Sequence, residues 1–327
     1  MITRRTVVLA LGPGALVAPL ASFAQRPGKV YRIGYLGAET ALVSANRVAA
    51  VRAGLSGLGY VEGKNIVIEF RWANGKYDGL ADLAAEFARL KVEVLVTDGE
   101  KATLAAKRAT TSLPIVFGSF GDPVALGVVA NLARPGGNIT GFATFAPQVM
   151  GKRLELLKEI IPHITQVGVL LNPENPAMEP ILQAMGITAK FLKIVLQPIE
   201  ARTPNEIETA FSSMARRRAD AIAIQNDTLF IANAKRIADL AAVRQIPSVS
   251  RMEFVNVGGL IGYGANNLEL YRRAAVFVDK ILKGTNPGDI PVEQATKFEL
   301  AVNLKTAKTL RIKIPDSILL RATKVIE

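Results

Sequence analysis

The sequence predicts an α/β protein of two doubly wound parallel-sheet lobes, joined by a hinge that the chain crosses more than once. Three observations carry this. Short β-branched runs alternate with apolar residues at helical spacing along most of the 327 residues, the pattern of parallel strands covered by helices on both faces. The alternation runs through once over about 30–145 and again over 147–260, which predicts two similar lobes. A late helix within 264–284 and a tail over 295–327 follow, and the helix is expected to return to the first lobe while the tail joins the second.

The elements follow in order. Val30 to Leu36 reads as a strand, and Val48, Val51, Leu55 and Leu58 mark a helix ending at Gly59. Asn65 to Phe70 is a strand, Leu80, Leu83, Phe87 and Leu90 a helix, Val92 to Thr97 a strand and Lys101 to Ala109 a helix. Pro114 to Gly118 is the next strand. Asp122-Pro123 then predicts a helix start, because aspartate caps free N–H groups and proline at the first position loses none that is needed. Ile139 to Ala143 closes the first series. The second begins with a helix over Gln148 to Ile161, a strand over Gln166 to Leu171, a helix over Pro176 to Met185 and a strand over Lys193 to Ile199. Thr203-Pro204-Asn205-Glu206 is a capping box opening a helix to Arg217. Asp220 to Gln225 is a strand, followed by one helix to Arg244, strands at Pro247 to Ser250 and Leu260 to Gly264, and a helix from Leu268 to Leu282 stopped by Gly284. A strand over Lys297 to Asn303 and a short helix after Leu304 complete the tail.

Composition narrows the function. Arg4 and Arg5, an uncharged run from Val7 to Leu20 and small residues at Ser22 and Ala24 read as a secretory leader over 1–24. The run is short for a membrane span and carries Pro13 and Pro19. Export would leave the protein periplasmic or otherwise extracytoplasmic. There is no cysteine, hence no disulfide, no thiolate metal site and no thiol for a lipid anchor. The net charge is +12, but the positive residues are dispersed, and Arg216-Arg217-Arg218 falls at a helix end where cations suit the dipole. With few aromatics to stack on bases, nucleic acid is not an expected partner. His163 is the single histidine and lies in a turn, so multi-histidine zinc sites and histidine triads are excluded. No phosphate-binding loop is present, and no cofactor is expected.

In open parallel sheets, ligands bind beyond the carboxyl ends of the strands. Two facing lobes put those ends on opposite walls of one cleft. The loops concerned hold Ala38 and Glu39, Thr97 and Asp98 with Glu100, Ser119, Phe120 and Asp122, Asn172, Asn226 and Asp227, and Arg251. Ser119 beside free N–H groups suits a carboxylate, Asp227 an ammonium group, and Tyr35, Phe120 or Phe230 an apolar wall. Such a set would recognise an amino acid or a similar carboxylate. Each residue also has a plainer reading. Asp122, Asn175 and Asp227 fall where helix caps are expected, and Glu39, Asp98 and Glu100 read equally well as solvated loop charges.

Several stretches together resemble the ABC transporter substrate-binding proteins related to the tryptophan/tyrosine-type binding proteins: Gly57 to Glu69 (GLGYVEGKNIVIE), Pro114 to Phe117, Gly121 to Val124, Leu132 to Gly141 (LARPGGNITG), Gly151 to Lys158 (GKRLELLK), Tyr271 to Ala275, Val278 to Gly284 and Pro291 to Leu300. The resemblance implies a type I periplasmic-binding fold, a hinged cleft, and a membrane permease of an ABC importer as partner of a monomeric, non-enzymatic receptor. It matches Ser119, Phe120 and Asp122 to the family's loop and Asp227 to an acidic position in the second lobe. The departure is at Thr97 to Glu100, where the family carries small neutral residues; two acids there would suit a more cationic or hydroxylated ligand. A ligand-sensing module for a receptor and a carboxylate-dependent enzyme are the alternatives.

Overall fold

The computed structural model describes residues 29–327. The leader read at 1–24 therefore lies outside the described residues. Parallel strands need crossover connections, and helices supply nearly all of them. The first series runs β1 (Tyr31–Gly37), α1 (Ala41–Gly57), β2 (Ile66–Trp72), α2 (Leu80–Arg89), β3 (Val94–Asp98), α3 (Glu100–Ala109), β4 (Ile115–Phe120) and β5 (Ile139–Ala143). The second runs α4 (Ala146–Ile160), β6 (Gln166–Leu171), α5 (Met178–Leu192), β7 (Val195–Glu200), α6 (Pro204–Arg216), β8 (Ala221–Ile224), α7 (Thr228–Ala232), α8 (Ala234–Val243), β9 (Ser248–Ser250) and β10 (Ile261–Ala265). After them come α9 (Asn267–Leu282), β11 (Glu293–Gln294), β12 (Phe298–Asn303), α10 (Leu304–Thr309), α11 (Asp316–Leu319) and β13 (Lys324–Ile326).

Two sheets result, with strand orders β11-β5-β4-β3-β1-β2 and β13-β12-β10-β9-β8-β6-β7. All pairings are parallel except β10 with β12. Each sheet is apolar on both faces, as strands sandwiched between helices must be. In the first lobe Ile33, Val94 and Val116 pack with α1 and α9, and Leu95, Ile115 and Phe117 pack with α2 and α3. In the second, Val167 and Val169 face α4 and α5, while Leu170 and Ile222 face α6 and α8. Buried side chains of this size contribute roughly 1.5–3 kcal/mol each.

The chain passes between the lobes three times: after β5 at 144–145, between β10 and α9 at Asn266, and at 295–297 before β12. The late helix α9 does return to the first lobe, where the Tyr60 hydroxyl donates to Asp279 Oδ1 at 2.9 Å. Its start is fixed by Asn266, whose side chain accepts the Glu269 N–H.

Four local expectations need correction. Asp122-Pro123 opens turns over 122–130 and no helix. Asp122 Oδ1 does accept from the Val124 and Ala125 N–H groups, but Gly127 takes φ +63° and ends the first turn. The helix read at 176–185 continues to Leu192, with Lys193 closing it in the left-handed region. The single helix read up to Arg244 is two, broken at Asn233, whose side-chain amide donates to the Leu229 carbonyl. Strand β11 has no sequence signal, being two residues paired to β5.

Candidate functional site

The carboxyl ends of β3, β4 and β5 face those of β8 and β9 across the cleft. They enclose a cavity of about 80 Å³, several times the roughly 10–15 Å³ that one water requires. The first lobe contributes Asp98, Glu100, Ser119, Phe120 and Thr144; the second contributes Asn175, Asn226, Asp227, Thr228 and Arg251. Arg47 of α1 and Asn267 and Tyr271 of α9 complete the wall. The lobes touch at its rim, where the Tyr77 hydroxyl lies 2.8 Å from Thr228 Oγ1 and Lys101 Nζ 3.1 Å from the Glu174 carboxylate.

Asp98, at the end of β3, is 2% exposed and is not a solvated charge. Its Oδ2 accepts from the Ser44 hydroxyl at 2.7 Å and the Tyr35 hydroxyl at 3.1 Å. Its Oδ1 accepts from Tyr271 at 2.8 Å, and Arg47 Nε lies 3.1 Å from Oδ2. Four groups from β1, α1 and α9 thus converge on one carboxylate. Burial, then the Asp98 charge, holds both tyrosine hydroxyls well above their ordinary pKa. Burial opposes the Arg47 cation, but Asp98 outweighs it and raises the guanidinium. Because Arg47 neutralises it, Asp98 gives no reason to expect a cationic ligand, which corrects half of the sequence argument from two acids.

Glu100 is the other half. Its Oε1 accepts the Gly121 N–H at 2.9 Å, and its covered Oε2 has no partner among the described residues. Burial raises its pKa to about 7; the Gly121 bond opposes the shift and the Asp227 charge of the other lobe adds to it. Asp227 itself is buried. Its Oδ1 accepts from Asn172 Nδ2 at 3.1 Å and, as the cap of α7, from the Leu229 N–H at 2.9 Å. Its Oδ2 accepts from Asn175 Nδ2 at 2.8 Å. Asn226 is held by Arg153 Nη2 at 2.9 Å. Arg153 is wholly buried, and its other bonds go to the Tyr263 and Ile224 carbonyls and Met150 Sδ. Burial, then Arg251, lowers it to about 9.

Of the residues expected to line the cleft, Asp98, Ser119, Phe120, Asn226, Asp227 and Arg251 surround this cavity. Ser119 donates to Asn267 Oδ1 at 3.1 Å, and Arg251 pairs with Glu253 at 2.6 Å. The rest stand elsewhere. Ala38 is buried in the first-lobe core. Thr97 Oγ1 bonds Thr103 Oγ1 at 2.8 Å beneath α3. Asp122 caps its own turn. Asn172 is a support for Asp227 from behind. Glu39 accepts from Tyr77 at 2.9 Å at the rim, where burial raises its pKa and the Tyr77 bond opposes the rise.

Arg47, Tyr271 and Asn267 escaped the sequence reading because they lie on helices, and only strand-end loops were searched. One signal was available. Val48, Val51 and Leu55 mark the buried face of α1, and helical spacing puts Ser44 and Arg47 on that same face. An arginine there needs a buried counter-ion.

A second, more apolar chamber of about 200 Å³ adjoins the first and shares Arg47, Ile231 and Arg251 with it. Its walls include Val43, Ile224, Phe230, Ile237, Phe254, Val257 and Leu268. Among the described residues no group of side chains is arranged to hold a metal ion, and no helix is long and apolar enough to cross a membrane.

Comparison with known proteins places this geometry in context. The family described as ABC transporter substrate binding protein matches residues 43–326. A tyrosine-binding protein of Clostridioides difficile is 27% identical over 253 residues, covering 77% of this chain and 72% of the relative. The structure of a conserved domain protein from Vibrio cholerae superposes with a TM-score of 0.86 at 26% identity, over 91% of this chain and all of that one. An ABC domain from Streptococcus pneumoniae solved with L-Trp gives a TM-score of 0.82 at 24% identity, over 90% of this chain and all of that one. The fold is that of type I periplasmic binding proteins.

Proposed function

The chain belongs to the ABC transporter substrate-binding protein family, and on that footing we propose that it is the extracytoplasmic receptor of an importer whose ligand is an amino acid held between the lobes. One observation carries the ligand assignment. The polar cavity at the strand ends has carboxylates from both lobes, Glu100 and Asp227, on one side of its chemistry and Arg47, Arg251 and the Ser119 hydroxyl on the other. A zwitterion complements such a site, its ammonium toward Glu100 and Asp227 and its carboxylate toward the cationic groups. The sequence pointed to Asp227 alone as the ammonium partner. Three donors already occupy Asp227, whereas Glu100 Oε2 is bare, so Glu100 takes the larger share. Binding to both walls stabilises the closed arrangement of the lobes, and that closed surface is what a permease would read. The receptor acts as a monomer and releases its ligand unchanged.

The test is a thermal-shift screen over the twenty amino acids. A ligand at about 100 times its Kd adds roughly 2.7 kcal/mol to apparent stability. At least one amino acid should raise the melting temperature by several degrees, and uptake of that amino acid should be lost in cells lacking the gene. Conversion of the bound compound, or no shift with any amino acid, would reject the assignment.

A further inference from the structure

The apolar chamber beside the polar cavity has one polar group that the fold leaves unused. Gln225, at the end of β8, is 1% exposed. Its Oε1 accepts the Asn172 N–H at 2.9 Å, which fixes the orientation of the amide: rotating it would set a donor against a donor. Nε2 is therefore the free end, and it has no hydrogen-bond partner among the described residues. A buried, unmet N–H is costly, by more than the net gain of an ordinary hydrogen bond. Gln225 lines the chamber, whose walls are otherwise largely aliphatic or aromatic. A cavity of about 150 Å³ with such walls accepts a benzene ring, and this one is about 200 Å³. The shared Arg47, Ile231 and Arg251 make it continuous in lining with the cavity assigned above to the ligand's charged groups.

We propose that this chamber receives the ligand's side chain and that Gln225 selects a ring carrying a hydrogen-bond acceptor. The proposal rests on the reading of the cleft as an amino-acid site and adds the side-chain class to it. A plain phenyl ring fills the space but leaves Nε2 unmet; a phenol oxygen or a ring nitrogen satisfies it. A site built around a hydrogen bond discriminates strongly against an isostere that lacks the group.

The experiment measures binding of L-phenylalanine, L-tyrosine and 4-pyridyl-L-alanine by calorimetry, to the wild type and to Gln225→Met. The last probe has the shape of phenylalanine with one acceptor nitrogen. Tyrosine and pyridylalanine should bind about tenfold or more tightly than phenylalanine, the worth of one hydrogen bond of roughly 1.4 kcal/mol. In Gln225→Met the ratio should fall to about one. The ratio is the readout, so a general loss of stability from the Asn172 N–H does not imitate it. Val257→Phe, which narrows the chamber, should weaken all three ring probes and spare L-alanine. Equal binding of phenylalanine and pyridylalanine by the wild type overturns the role of Gln225. Ring probes unaffected by Val257→Phe overturn the chamber while leaving the amino-acid site intact. If 4-hydroxyphenylacetate binds with the same dependence on Gln225 and no amino acid does, the chamber stands and the amino-acid reading fails. If no probe binds, both fail.

Discussion

Replacing Asp98 with alanine separates a structural from a ligand-binding role for the acid at the end of β3. In the native protein its carboxylate meets Arg47 at 3.1 Å, with the side chains 2% and 9% exposed. It also accepts three hydroxyl bonds, from Tyr35, Ser44 and Tyr271. Asp98→Ala leaves a buried guanidinium without its counter-ion, a change that costs about 3–5 kcal/mol. At roughly 2–4 °C per kcal/mol for units of this size, the melting temperature of the unliganded protein should drop by roughly 6–20 °C. Circular dichroism on heating, at pH 7 and without ligand, measures it. The companion variant Asp98→Ala/Arg47→Met removes the stranded charge and should recover part of the loss, because a buried ion pair is often no more stable than apolar groups in its place. The coupling between the two sites should be about 0.5–3 kcal/mol. A single variant melting within about 2 °C of wild type, yet unable to bind ligand, would refute this account and return Asp98 to the ligand.

Two further predictions concern the same wall. Glu100 is raised to about 7 where the lobes meet, so its contribution to the closed, unliganded form is fully present below its ordinary pKa near 4.5 and is lost as pH rises through about 7, on the order of 3 kcal/mol in all. Small-angle scattering should therefore show the unliganded protein expanding between pH 5 and pH 8, with Glu100→Gln staying compact; identical profiles would count against the cross-lobe burial of this carboxylate. In β4, a Cβ at Gly118 would lie 2.2 Å from the Tyr271 ring. Gly118→Ala must displace Tyr271 from Asp98, at about 1–3 kcal/mol for overpacking, and should lower the melting temperature measurably; an unchanged value would show that α9 is free to shift.

Much of this protein is legible in its sequence. Residues such as Ile33, Val94, Val167 and Ile222 form apolar runs between helical stripes, and that periodicity depends on local geometry alone, so two parallel-sheet lobes follow from it. The same logic places ligand chemistry at the strand ends, and it reaches Ser119, Phe120, Asn226, Asp227 and Arg251 because each directly follows or ends a strand. What the sequence cannot determine is how a polar side chain is used once distant segments meet. Asp98 and Glu100 lie two residues apart and look alike in the sequence. Asp98 is neutralised by Arg47, 51 positions earlier, and fastened by Tyr271, 173 positions later, whereas Glu100 has a bare oxygen facing the other lobe. The fate of each charge is set by which partners burial brings within about 3 Å, and those partners come from α1, α9 and the second lobe. The doubly wound fold is thus a property of local pattern, while the selectivity of the cleft is decided by contacts that exist only after the chain has crossed between its lobes and returned.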